Sequence, residues 1–93
     1  MLDYKSKHLN ATGTITSGPA RLMYIYATPD SGPGTIELRN SSDNSGPILV
    51  TLNTPNTTNT KINIDLRDFG MRFENGIHCT LTSTASITVF FTG

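Results

Sequence analysis

Turn-forming residues punctuate this chain so closely that no segment between them can carry a helix of ordinary length. The breaks fall at Ser17-Gly18-Pro19, Pro29 through Gly34, Asn40 through Pro47, Thr54 through Thr60, Asp68, Glu74-Asn75-Gly76 and Ser83 through Ser86. Gly, Pro and Asx clusters at such short spacing mark a sandwich or barrel. They predict eight strands, near 9–16, 20–28, 34–40, 47–53, 60–66, 69–73, 77–83 and 87–92. Two of these alternate with period two: Ile36 and Leu38 against Thr35, Glu37 and Arg39, and Ile62, Ile64 and Leu66 against Lys61, Asn63, Asp65 and Arg67. Strands of this kind bury one face and wet the other, as in antiparallel sheets. A parallel sheet needs crossovers of a dozen or more residues, and 93 residues leave no room for them. Abundant Thr, Asn, Ser and Gly suits turns and pleated surfaces better than helices. The expected fold is therefore all-β, an antiparallel sandwich or jelly roll of about eight short strands. It spans residues 11–93 as a single domain, behind an amino-terminal arm of residues 1–10.

The sharpest local signal runs from Phe69 to Leu81. A two-residue Asn75-Gly76 turn would place Arg72 on the face of Cys79. A three-residue loop, Glu74-Asn75-Gly76 with Gly76 left-handed, pairs Phe73 with Ile77, Met71 with Cys79 and Phe69 with Leu81 on one apolar face. Consistency of facing selects the three-residue hairpin. Cys79 then becomes a small, inert core residue.

Two segments break the one-sided pattern. In 20–28, Leu22, Tyr24 and Tyr26 alternate with Met23 and Ile25; in 87–92, Ile87, Val89 and Phe91 oppose Phe90. A two-layer sandwich cannot bury both faces of a strand internally. Met23, Ile25 and Phe90 must be covered either by loops and the arm or by a neighbouring subunit. Each such side chain contributes about 1.5–3 kcal/mol when buried, against a total stability of about 5–15 kcal/mol. That favours a subunit contact lined by Met23, Ile25 and Phe90 in a homo-oligomer.

Chemistry is sparse. Seven basic and seven acidic residues give zero net charge, and no basic stripe of the kind that neutralises phosphates is present, so nucleic acid is not an expected partner. Lys5, Lys7 and His8 read as a solvated arm, in which Tyr4, Lys5 and Lys7 are candidate contact residues. The start lacks the apolar run of a signal peptide and nothing approaches a membrane span, so a soluble intracellular chain is expected. Its Asn-X-Ser/Thr matches at Asn10, Asn40 and Asn56 are read as chance. One cysteine excludes an internal disulfide. His78 alternates with Thr80 and Thr82 and reads as a surface residue. Asp43, Asp65, Asp68 and Glu37 show no metal-ligand spacing, and Asp68-Phe69-Gly70 has no kinase context around it. No nucleophile and base come together, so no enzyme and no cofactor are expected. Tyr4, Tyr24 and Tyr26 could stack on sugars, but Tyr24 and Tyr26 share the face of Leu22 and are expected in the core.

Read end to end, residues 12–93 resemble small all-β virion proteins of tailed bacteriophages, of the capsid decoration, cement or accessory tail type. The cadence is carried by Gly18-Pro19-Ala20-Arg21-Leu22, Gly34-Thr35-Ile36-Glu37-Leu38, Gly70 through Ile77, and Val89-Phe90-Phe91-Thr92-Gly93. The resemblance implies a structural protein made in the host cytoplasm and carried in the virion. It further implies a symmetric oligomer, commonly a trimer, bound to the major capsid or tail protein. The alternative is a carbohydrate-binding or host-adhesion module of a tail structure.

Overall fold

The computed structural model describes residues 4–29, 34–54, 61–68 and 70–92. Among these, nine strands are formed: β1 (Lys5–Leu9), β2 (Gly13–Thr16), β3 (Ala20–Pro29), β4 (Gly34–Arg39), β5 (Ile48–Thr54), β6 (Ile62–Asp65), β7 (Met71–Phe73), β8 (Ile77–Thr82) and β9 (Thr84–Thr92). They build two antiparallel sheets. One has the order β1-β9-β3-β6 with β7 also on β3, and the other the order β2-β8-β4-β5. The pairs β1:β9, β2:β8, β3:β6/β7 and β4:β5 are nested. They trace one long hairpin, with its tip between β4 and β5, wrapped so that β9 also lies on β3 and β8 on β4. This is the connectivity of a jelly roll.

Period-two alternation decides which side chains fill the space between the sheets. Ile36 and Leu38 of β4 pair with Leu81 and Cys79 of β8, and Ile87, Val89 and Phe91 of β9 face them from the other sheet within one apolar core. Ile62, Ile64 and Leu66 pack against the same core while Lys61, Asn63, Asp65 and Arg67 are exposed, as the alternation predicts.

Three local expectations are corrected. Residues 71–81 do not form a hairpin: β7 pairs with β3 in one sheet, and β8 pairs with β2 and β4 in the other. Glu74-Asn75-Gly76 is a corner between sheets. Gly76 does take positive φ, at 116°, and a Cβ there would sit 2.7 Å from the Thr16 carbonyl oxygen. Phe73, Ile77 and Cys79 are all in the core, because two strands stacked face to face satisfy the same inward pattern as two strands paired edge to edge. Phe69 lies outside the described residues. The arm is the second correction, since Lys5–Leu9 adds to the sheet edge as β1, from Lys5↔Phe91 to Leu9↔Ile87. Third, His78 is buried rather than solvated. The turn after β4 lies against it, with the Thr14 hydroxyl donating to the Ser42 carbonyl (2.8 Å) and the Arg39 guanidinium to the Gly46 carbonyl (3.0 Å).

Candidate binding face on the five-stranded sheet

The outer face of the β1-β9-β3-β6 sheet is set by one irregularity. Leu22 of β3 pairs with Phe91 of β9, yet the next register pair is Tyr24 with Phe90, so Met23 is an extra residue. A β-bulge of this kind reverses the alternation beyond it. Ile25 and Ala27 therefore join Leu22 in the core, opposite Val89 and Ile87. Tyr24 and Tyr26 turn outward beside Phe90 and Thr88. Without the bulge both tyrosines would point inward, against the outer pattern of β9.

This bulge overturns the argument for a subunit contact at Met23 and Ile25. Ile25 is fully buried within its own chain, and Met23 keeps only 3% of its surface. The turn after β6 covers Met23. Its carbonyl accepts the Leu66 N–H (2.8 Å), and a Cβ at Gly70 would come within 2.8 Å of its sulfur. Phe90 is different. It stays half-buried on the outer face, where its ring meets Tyr24 edge to face at 6.0 Å and 84°.

Tyr4, Met23, Tyr24, Phe90 and Arg67 line a cleft of about 340 Å³, within the range of small-ligand sites. A second hollow of about 480 Å³, bounded by Tyr4, Asp65, Arg67 and Asp68, adjoins it through Tyr4 and Arg67. The end of strand β6 and the turn after it supply the polar wall. Asp65 and Arg67 flank the half-buried Leu66 and so share one side of the chain. The guanidinium of Arg67 grips Asp65 in a fork, Nε to Oδ1 at 2.8 Å and a terminal nitrogen to Oδ2 at 2.7 Å, and the Arg67 N–H adds a third bond at 3.0 Å. These bonds hold the Asp65 carboxyl down to about 2. The same guanidinium lies 5.5 Å from the centre of the Tyr24 ring, and the Tyr24 hydroxyl donates to Asn63 Oδ1 at 2.9 Å.

Three residues singled out in the sequence, Tyr4, Met23 and Phe90, thus meet in the cleft. Lys5 and Lys7 stand exposed on β1 and do not line it. Sequence reasoning weighed Tyr24 as a stacking platform but placed it in the core, which the structure corrects, and it missed the Asp65–Arg67 fork. The alternation around Leu66 carried the signal for the fork, whereas the reversal at Met23 had none. An aromatic floor beside a charge-compensated rim suits a ligand with one apolar face and several hydroxyl or amide groups.

Elsewhere the polar chemistry is structural. Cys79 is fully buried, and desolvation pushes its thiol up to about 12. His8 shares a hydrogen bond with the Thr88 hydroxyl across β1 and β9 (2.8 Å). Among the described residues no group of three or more His, Cys, Asp or Glu side chains is placed to hold a metal ion, and no helix is long and apolar enough to cross a membrane. Comparison of the chain with protein-family models, with curated proteins and with solved structures finds no match.

Proposed function

We propose that this protein is a non-catalytic virion component of tailed phages that binds a capsid or tail protein through the outer face of its five-stranded sheet. The observation that carries the reading is the bulge at Met23, which turns Tyr24 and Tyr26 outward to join Phe90 on a surface that could have been polar. Aromatic side chains dominate the energetics of protein contacts. Jelly rolls serve as viral capsid domains and as lectin domains, an analogy of fold that leaves the site to decide. The test is co-sedimentation of the chain with phage particles that lack it. Tyr26→Lys with Phe90→Lys should abolish particle binding while circular dichroism stays unchanged. Retained binding would place the contact elsewhere.

A second reading, host adhesion by carbohydrate binding, is favoured by the cleft itself. Sugar rings present an apolar C–H face to aromatic rings and hydroxyls to carboxylates, amides and guanidinium groups. Tyr4, Tyr24 and Phe90 offer the former, and Asp65, Asp68 and Arg67 the latter. On a glycan array, Tyr4→Ala should remove the signal under this reading and leave particle binding largely intact under the first.

A further inference from the structure

The four strands of the second sheet end at β5, and among the described residues nothing pairs with its outer edge. An open edge carries unpaired backbone N–H and C=O groups and is a template for another strand, so natural proteins guard edges with charge, brevity, bulges or cover. The other edges here are guarded. β1 carries Lys5, Lys7 and His8, β2 and β6 have four residues each, and β7 has three. β5 is seven residues long, Ile-Leu-Val-Thr-Leu-Asn-Thr, and its Ile48 and Leu49 are 41% and 43% exposed. Its one irregularity, opposite Arg39, is confined to the Ile48–Leu49 end.

We infer that β5 pairs antiparallel with β5 of a second copy, joining two four-stranded sheets into one. The missing groups are those of a strand edge, which fixes the occupant as a strand. The charge pattern selects a copy of the same chain. A two-fold contact sets the strand against its own copy, so a net charge on the strand would face the same charge on its twin. No charged residue lies between Asp43 and Lys61. Pairing all seven residues centres the axis on Thr51, opposes Val50 to Leu52 on the core side and continues the two cores into each other. The inference is independent of the aromatic cleft, which lies on the other sheet.

Sedimentation equilibrium of the full chain tests it. Dimers or even-numbered multiples are expected. Thr51→Lys sets two ammonium groups against each other and should weaken association about tenfold or more with unchanged circular dichroism. Thr51→Cys should give a disulfide-linked dimer on mild oxidation, Cys79 being buried and unable to contribute. A monomer at every concentration, or a trimer or other multimer insensitive to Thr51→Lys, would overturn the inference.

Discussion

The bulge at Met23 makes a prediction whose sign depends on it. Ile25 is fully buried and sits mid-sheet, with Val89 of β9 on one side and Ile64 of β6 on the other. Paired on both sides, the strand cannot move inward to fill a hole, so Ile25→Ala should fall in the upper part of the range for such truncations, about 3–5 kcal/mol. Tyr26, one residue on, is 38% exposed on the opposite face, and Tyr26→Ala should cost about 1 kcal/mol or less. In an unbulged register the two would exchange places, with the tyrosine deletion costing roughly 3–5 kcal/mol and the isoleucine deletion little. At about 4–8 °C per kcal/mol for a domain of this size, a 3 kcal/mol loss lowers the melting temperature by roughly 12–24 °C. Urea unfolding followed by far-ultraviolet circular dichroism separates the cases, provided the m-values of the variants match. If Tyr26→Ala is the more damaging of the two, the reversal of facing at Met23 is wrong, and the aromatic face falls with it.

Three further outcomes follow from single positions. Gly70 has a φ of 75°, and an added Cβ would lie 2.4 Å from Arg21 Cγ. Gly70→Ala should therefore lose about 1–3 kcal/mol in the same unfolding assay, whereas Gly18→Ala, with open space around it, should stay within about 0.5 kcal/mol. Cys79 should resist a thiol reagent at pH 8 in the native protein and react fully in denaturant, since burial holds the thiol up near 12; native labelling at the unfolded rate would contradict its placement. The Asp65 carboxyl should titrate near 2 in a carbon-13 experiment and return towards about 3.9 in Arg67→Gln. A carboxyl depressed on folding stabilises the native state above its unfolded value and loses that contribution as pH falls from about 4 towards 2. The fork should thus be intact throughout the neutral range.

How far the sequence could be read depends on what each signal encodes. Alternation in 34–39 and 62–67 specifies both strand and facing, and those segments fold as the pattern requires. Segment 20–29 alternates just as cleanly, but a bulge adds one residue and no local chemistry marks it. Only the need to match Ile87, Val89 and Phe91 across the pair reveals it, and that match requires knowing that β9 is the partner. The Phe73 and Ile77 pattern fails differently. Inward facing is the same whether two strands pair or stack, so periodicity fixes the core residues and leaves the sheet assignment open. Lys5–Leu9 shows no alternation because an edge strand with four exposed residues needs little burial. Its pairing is held by the backbone, which composition does not record. The cleft was half-legible, since Met23 and Phe90 stand out as apolar groups in need of cover and Tyr4 as a contact residue of the arm, but their convergence with Arg67 is a product of topology.

His78 shows what burial demands of a side chain that periodicity placed on the surface. Its register partner on β4 is Arg39 and on β2 is Thr14. The Thr14 hydroxyl has one hydrogen, and the 2.8 Å bond to the Ser42 carbonyl takes it. The 3.4 Å contact between Thr14 Oγ1 and His78 Nδ1 must then run the other way, with the ring nitrogen donating. In a neutral ring that leaves Nε2 as a lone-pair acceptor. Among the described residues Nε2 has no hydrogen-bond partner, and neither has the Nε–H donor of Arg39 on the neighbouring strand. One is an acceptor and the other a donor on a neighbouring strand, and leaving them unmet costs about 1–3 kcal/mol each. The neutral ring should therefore carry its hydrogen on Nδ1. Nitrogen-15 correlation spectra distinguish the tautomers directly: a protonated Nδ1 with a pyridine-like Nε2 is expected, and the reverse pattern would mean that Thr14 donates to the ring and releases Ser42, undoing the account of how the turn after β4 is held over the sheet.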